Sequence, residues 1–379
     1  MHNPISSNQI YLICPIGLEK TVRRELETKW QLYFKNFSYK IIEQSKGGIE
    51  LETEILEVAH LNQILKTPTR ILLRCFSFKC RDFPKLFNKI KKYNWSPYIF
   101  NENFEIVASS KKSRLINTKK IETSVSDGIK KWLHANPRKK TSQQITDKLP
   151  PLSIYVRLIN DECIISIDTS GDPLFKRNER LLKGPAPIRE NLAASLFYEL
   201  TQYIPKAKIN YHLIDPMCGS GTLLFEAFNF NQLNNNRIFT YQFMPLFKNI
   251  APILSPVLNQ FFIKEMKGFE KNKKSFEAAK RNLENLKSCS TYNIDYLDSI
   301  QTNDNNIIIS NPPYGKRIKL PVSPQIYFND LIEQIEKAFR PVLIGIIAPE
   351  YISIKHNNLI KELFFVNGGF KVKLLIIKN

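Results

Sequence analysis

The sequence predicts two unlike halves: an α+β region to about residue 165, then an α/β region with a mostly parallel, doubly wound sheet. Three observations predict this. Before Asp172-Pro173, helical periodicity mixes with paired strands, and after it short apolar strands each lead into a helix. The basic residues also crowd into the first half. A chain of 379 residues has room for two or three domains.

Residues 9–14 (QIYLIC) read as a strand ending at Pro15 and Gly17, and Leu18, Val22 and Leu26 have the spacing of a helix over 18–32. SYKIIE and GIELE flank Lys46-Gly47-Gly48 as paired strands. A helix over 53–66, a strand over 69–78, an amphipathic helix over 83–93, a strand over 103–109 and a helix over 118–134 follow. Residues 155–171 read as two strands around an Asn160-Asp161 turn. In the second half a helix spans 189–203, and strands are expected at 211–215, 264–270, 306–310, 342–348 and 371–377. An irregular insertion is expected where asparagine (229–236) and proline (245–256) accumulate.

A hydrophobic fraction of 43% with 24% charged residues excludes wholesale disorder. No apolar run reaches the ~18 residues of a membrane span, and the first residues lack the pattern of a secretory signal. The cysteines at 14, 75, 80, 163, 218 and 289 show no CxxC spacing and no accompanying histidines, which disfavours a zinc site and a disulfide framework. The expectation is a soluble, reduced, cytoplasmic protein that needs no metal. Its 55 Lys and Arg against 35 Asp and Glu, net +20, point to a polyanionic partner. Residues 1–160 carry 28 basic and 14 acidic residues, and 79–140 alone carries 16 and 5. Lys111, Lys112, Arg114, Lys119 and Lys120 lie in that stretch as candidate phosphate contacts, with Arg138, Lys139 and Lys140 beyond them.

The chemistry is concentrated in the second half. DPMCGSG (215–221) sits between a strand and a helix. Gly219 and Gly221 allow a tight turn and close approach of a ligand, with Pro216 at its entrance. The loop has no lysine of a P-loop and no GxGxxG. Asp215 at the strand end would repel a pyrophosphate but suits a cationic ligand, and S-adenosylmethionine carries an ammonium, a sulfonium and a ribose diol. Cys218 reads as a packing residue. Glu270 ends the next strand, where a carboxylate can accept both ribose hydroxyls. Asp295 is placed to accept from an adenine amino group, with Asp298 as its competitor. Asn311-Pro312-Pro313-Tyr314 follows the strand NIIIS as a rigid turn. The Asn311 side-chain oxygen and the Pro312 carbonyl can take both hydrogens of a planar exocyclic amine, and Tyr314 can stack on its ring.

DPMCGSGTLLFEA and NPPYGKR resemble the class I S-adenosylmethionine-dependent methyltransferases of the N2-guanine and N6-adenine group. GLEKTVRREL, SKGGIEL, TRILLRCFSF, VSDGIKKWL, IDTSGDPLFKR, APIRENLAASL and RIFTYQFMPLF extend the likeness to bacterial THUMP-domain RNA methyltransferases, especially the 23S rRNA guanine-N2 group. The resemblance implies a ferredoxin-like segment (1–48), a THUMP RNA-binding domain (49–165), a linker (166–187) and a Rossmann-like class I methyltransferase domain (188–379). It implies S-adenosyl-L-methionine as cofactor and RNA as partner, 23S rRNA before tRNA. Asp215, Gly219 and Gly221 would border the methionine part, Glu270 the ribose and Asp295 the adenine, with Asn311 to Tyr314 holding the base. The chain departs from the family pattern at Glu270, where Asp is usual, at Asn178-Glu179 before Arg180, and at Asn191.

NPPY by itself leaves adenine N6, cytosine N4, guanine N2 and a protein glutamine open. The basic first half favours nucleic acid. A tRNA guanine-N2 methyltransferase, a DNA adenine methyltransferase and a non-catalytic RNA-binding assembly factor are the competing readings.

Overall fold

A computed structural model describes residues 9–34, 38–137, 151–177, 182, 184, 187–204, 210–255, 263–286, 289–293, 305–315 and 319–379. The chain divides into two compact units, and neither is a continuous stretch. The first takes in Met1–Ile13, Phe34–Leu174 and Asn234–Leu254; the second takes in Cys14–Tyr33, Phe175–Leu233 and Ser255–Asn379. Among the described residues no helix is long and apolar enough to cross a membrane.

The first unit is built on β1 (Gln9–Ile13), β2 (Lys40–Ser45), β3 (Gly48–Glu52), β4 (Arg70–Lys79), β5 (Phe104–Lys111), β6 (Leu152–Ile159) and β7 (Glu162–Asp168). They form one sheet in the order β2-β3-β1-β4-β7-β6-β5. Its neighbours run antiparallel except β5 and β6, whose parallel pairing requires a crossover. α4 (Thr118–Ala135) lies in that crossover, after α2 (Glu57–Ile64) and α3 (Phe83–Lys92). Asn160 (φ 49°) and Asp161 (φ 64°) make the two-residue β6–β7 turn, and both sit in the left-handed region that Asn and Asp tolerate. Of the aromatics in the basic stretch, Trp95 and Tyr98 are buried and Phe83, Phe87, Tyr93, Phe100 and Phe104 are half-buried. Phe76 stacks on Tyr93 at 4.1 Å between centroids, Tyr93 meets Trp95 edge-on, and the buried Trp95 donates its indole N–H to the Ile90 carbonyl.

The second unit holds α1 (Glu19–Tyr33), α5 (Glu190–Thr201), α6 (Thr222–Phe228), α7 (Lys273–Leu283) and α8 (Pro324–Phe339). Its strands are β8 (Tyr211–Asp215), β9 (Ile263–Phe269), β10 (Cys289–Tyr292), β11 (Asn306–Ser310), β12 (Leu343–Pro349), β13 (Leu359–Asn367) and β14 (Phe370–Lys378). The order is β10-β9-β8-β11-β12-β14-β13. β10 through β12 run parallel, and β14 is antiparallel to both its neighbours. Every residue of β8 and β11 is buried, as a parallel sheet covered on both faces demands. Alternation divides them: Leu213, Ile307 and Ile309 join the core with Leu196 and Leu224, and Ile214 and Ile308 join the core with Phe328 and Ile332. From β8 the chain proceeds outward to β9 and β10, and from β11 it proceeds the other way. The crevice beyond the carboxyl ends of β8 and β11 is therefore the switch point where such sheets take ligands.

One buried carboxylate ties three elements of this unit. Glu199 on α5, 1% exposed, accepts from the Thr21 hydroxyl (2.9 Å) and the Arg24 guanidinium (2.9 Å) of α1, and from the Lys361 ammonium of β13. Burial opposes its ionisation, but the bonds from Lys361 and Thr21 and the charges of Lys361 and Arg24 outweigh burial and hold its pKa below the ordinary value. Glu199→Ala should lower stability at pH 7 by about 2 kcal/mol, the scale of a hydrogen bond to a charged group. The cost should shrink as pH falls through the carboxylate range, since a depressed pKa contributes stability only above the unfolded value. Urea midpoints at pH 7 and pH 4 measure both effects, and equal losses at the two pH values would contradict this account.

Candidate active site and nucleic-acid interface

A cavity of about 990 Å³ opens in the second unit where β8, β9 and β11 end. Asp215, Pro216, Gly219, Glu270, Asn311, Pro312, Pro313 and Tyr314 all line it. The glycine turn is built as its residue types require. Gly219 (φ 57°) and Gly221 (φ 83°) are both left-handed, and space is open around a side chain at 219. Gly221 is not among the lining residues. A Cβ there would stand 2.7 Å from the Leu283 side chain, so this glycine serves the packing of the turn on α7.

Asp215 is 1% exposed, and its Oδ1 accepts from the Met217 amide (3.1 Å) and the Ser310 hydroxyl (2.9 Å). Burial pushes its pKa up to about 7 against those two bonds, and the charge of Glu270 adds to the rise. Glu270 is oriented by backbone donors: Gly219 N–H reaches Oε2 at 2.9 Å and Asn272 N–H reaches Oε1 at 2.8 Å. Asn293 fixes its main chain by donating to the Glu270 carbonyl at 2.8 Å. Each carboxylate oxygen retains a lone-pair direction for a further donor such as a diol hydroxyl.

Also in the lining, Pro312 is buried and Asn311 half-buried. The Tyr314 hydroxyl donates to Asn311 Oδ1, and a contact with the Asn367 side chain also reaches that phenol. Burial raises the Tyr314 pKa, so the hydroxyl is a donor at neutral pH. Asn311 Oδ1 keeps its second lone pair for a substrate amine. Ser310, Asn272, Asn293 and Asn367 are partners the sequence reading missed. Ser310 was the most accessible to inspection, being the polar residue that ends the apolar run NIIIS before the turn. Asp295, with Asp298, lies outside the described residues. Burial raises the Cys218 thiol well above its ordinary range, which suits the packing role expected of it.

Three carboxylates, Asp215, Glu270 and Asp330, line the cavity, and Glu270 helps to raise Asp215, which makes a site that a cation relieves. The residues present fit a ligand with a positively charged centre near Asp215 and a diol near Glu270.

In the first unit the five candidate cations are exposed. Lys111 ends β5, and Lys112 (φ 51°) turns the chain in the left-handed region. Asp161 shapes this loop: its Oδ1 accepts the Arg114 amide (2.7 Å), its Oδ2 the Arg81 guanidinium (2.8 Å), and its own amide donates to Ser113 Oγ (3.0 Å). The Arg114 amide bond, then the Arg81 bond, holds the Asp161 pKa below its ordinary value. Lys119 and Lys120 occupy the first turn of α4, whose N-cap Asn117 accepts the Lys120 amide at 3.0 Å. Cations in a first turn oppose the helix dipole, a local cost that an anionic partner would offset. Arg138, Lys139, Lys140 and the Asn178-Glu179-Arg180 segment lie outside the described residues.

Residues 177–357 match the family described as RMKL-like, methyltransferase domain, and residues 80–168 match the THUMP domain. YpsC of Bacillus subtilis is 31% identical over 56% of this chain and 52% of YpsC. The tRNA (guanine(6)-N2)-methyltransferase of Methanocaldococcus jannaschii is 25% identical over 95% of this chain and 96% of that protein. The ribosomal RNA large subunit methyltransferase K/L of Pseudomonas savastanoi is 25% identical over 98% of this chain and 51% of that protein. The chain thus spans about half the length of the Bacillus and Pseudomonas relatives. A solved structure described as a possible methylase from Clostridium difficile 630 is 25% identical and superposes with a TM-score of 0.73, covering 98% of each chain. The class I methyltransferase fold of the second unit and the THUMP domain of the first follow from these matches.

The pKa of Asp215 makes a prediction about stability. Its folded value of about 7 stands above the unfolded value of 3.8, so the folded state holds the extra proton and loses stability as pH rises from about 4 to 7. Asp215→Asn removes that loss. The difference in denaturant midpoint between variant and parent should shift in favour of the variant from pH 5 to pH 8, and a constant difference would contradict the burial argument.

Proposed function

We propose that this chain, a THUMP domain followed by an RMKL-like methyltransferase domain, transfers a methyl group from S-adenosyl-L-methionine to the exocyclic N2 of a guanosine in RNA, with 23S rRNA as preferred substrate. One observation carries the reading: Asn311, Pro312 and Tyr314 line the same cavity as Asp215 and Glu270. Bound there, the cofactor supplies an electrophilic methyl on a sulfonium.

The rest is done by the side chains. Asp215 balances the positive charge at the glycine turn, and Glu270 takes the ribose hydroxyls on oxygens already aimed by two amides. The exocyclic amine of guanine is a weak nucleophile because its lone pair is delocalised into the ring. Asn311 Oδ1 and the Pro312 carbonyl accept its two hydrogens and favour a pyramidal nitrogen, while Tyr314 contributes its ring against the base. Holding nitrogen and methyl in line is then the main source of rate, and no base is needed before attack. Lys111, Lys112, Arg114, Lys119 and Lys120 would take phosphates, which positions RNA without reading its sequence. The reaction is assigned to the cytoplasm, where such RNA is met.

A second reading is supported by the Methanocaldococcus relative, which matches over nearly its whole length and is named for tRNA guanine N2. Mass-spectrometric mapping of methylated nucleosides in 23S rRNA and tRNA, from cells with and without the gene, separates the two.

Asn311→Ala should abolish transfer of radiolabel to RNA while leaving cofactor affinity within a few-fold; lost cofactor binding would refute its role at the base. Replacing Lys111, Lys112 and Arg114 together with Ala should weaken RNA binding and flatten its dependence on salt by about three phosphate contacts. Unchanged binding and slope would place the RNA surface elsewhere.

A further inference from the structure

The geometry points to Arg189 as the counter-ion for the carboxylate at the amino-acid end of the methyl donor, an assignment that rests on the reading above. S-Adenosylmethionine carries one carboxylate beside its ammonium and sulfonium. Near the glycine turn that carboxylate meets Asp215 and Glu270, two like charges, unless a cation stands there as well. Among the described residues three cations line the cavity: Arg189, Lys271 and Lys319. Lys271 directly follows Glu270, at the ribose end, and Lys319 follows the NPPYG turn, at the base end.

Arg189 belongs to the segment that is fastened to the glycine turn itself. Asn282 of α7 makes the fastening: its Oδ1 accepts the Leu182 amide (2.8 Å), and its Nδ2 donates to the Leu182 carbonyl (2.9 Å) and the Ser220 carbonyl (2.8 Å). Gly184 continues the contact, since a Cβ there would lie 3.8 Å from both Ser220 N and Ser275 Oγ. Ile188, 5% exposed, is then anchored in the same core cluster as Leu223, just beyond the turn. Arg189 therefore departs from backbone held on the glycine-turn side of the cavity. Its side chain is exposed, and its guanidinium carbon stands 5.6 Å from the Phe175 ring centroid. A ring face steadies a guanidinium without neutralising it, so the planar fork stays free to take a carboxylate by two parallel bonds.

The test compares two ligands on the full chain by isothermal titration calorimetry: S-adenosylmethionine and its decarboxylated form. The parent should prefer the former by roughly 10- to 100-fold, the worth of a charge-assisted contact. Arg189→Met should erase that preference by weakening S-adenosylmethionine alone, and Arg189→Lys should keep part of it. Equal weakening of both ligands would mean a structural role and overturn the proposal. Erasure by Lys271→Met or Lys319→Met, with Arg189→Met still discriminating, would overturn it too. Failure of the parent to bind either ligand would instead strike at the methyltransferase reading itself.

Discussion

Asp215 and Glu270 line one crevice, and fixed donors around it hold both carboxylates there. Asp215 ends β8 and Glu270 directly follows the neighbouring parallel strand β9, so the sheet itself sets their spacing. Neither is left to repel the other unsupported. The Ser310 hydroxyl and the Met217 amide serve Asp215, and the Gly219 and Asn272 amides serve Glu270. These donors come from the ends of β8, β9 and β11, and they are fixed dipoles that need no reorganisation when a cationic ligand enters. Removing the parallel order of those strands would scatter both charges and donors.

The same sheet carries the Asn311-Pro312-Pro313-Tyr314 turn. Ser310 reaches back to Asp215 from β11, and the next residue is Asn311. The residue that bonds Asp215 and the residue that opens the proline turn are thereby adjacent along the chain, so a hydrogen bond across the sheet joins the two features. Tyr314 completes the connection by holding the Asn311 oxygen. A proline pair in the turn limits how far this geometry can relax.

Much of this was legible in the sequence because it depends on short-range patterns. The five-residue runs YHLID and NIIIS announce buried parallel strands, and DPMCGSG and NPPY announce the turns that follow them. What escaped depends on long-range partners. β13 alternates Ile360, Glu362 and Phe364 outward with half-buried or buried residues between, as an edge strand does, and Lys361 and Glu362 break up its apolar pattern before the run LFFV. The rise in the Asp215 pKa comes from burial that no local pattern reveals. Tyr93, Trp95 and Tyr98 stand among the lysines of the first half, and their packing with Phe76 and one another depends on a strand distant in sequence. Asp161, four residues before a buried strand centre, shows no sign in sequence that it organises the loop around Arg114.

The chain passes from one unit to the other after Ile13, Tyr33, Leu174, Leu233 and Leu254. No single cut in the polypeptide can therefore release either unit whole. A fragment beginning at Phe175 would retain the cavity lining but lack α1, and Glu199 would be stripped of Thr21 and Arg24, and Phe230 of the Lys29 ammonium that lies 4.4 Å from its ring. The complementary fragment would lack Asn234, which donates to the Asn62 and Leu65 carbonyls, and Arg237, which donates to the Ser170 and Pro173 carbonyls. Shuffling such halves between proteins, by recombination or by design, would have to carry the threaded pieces along.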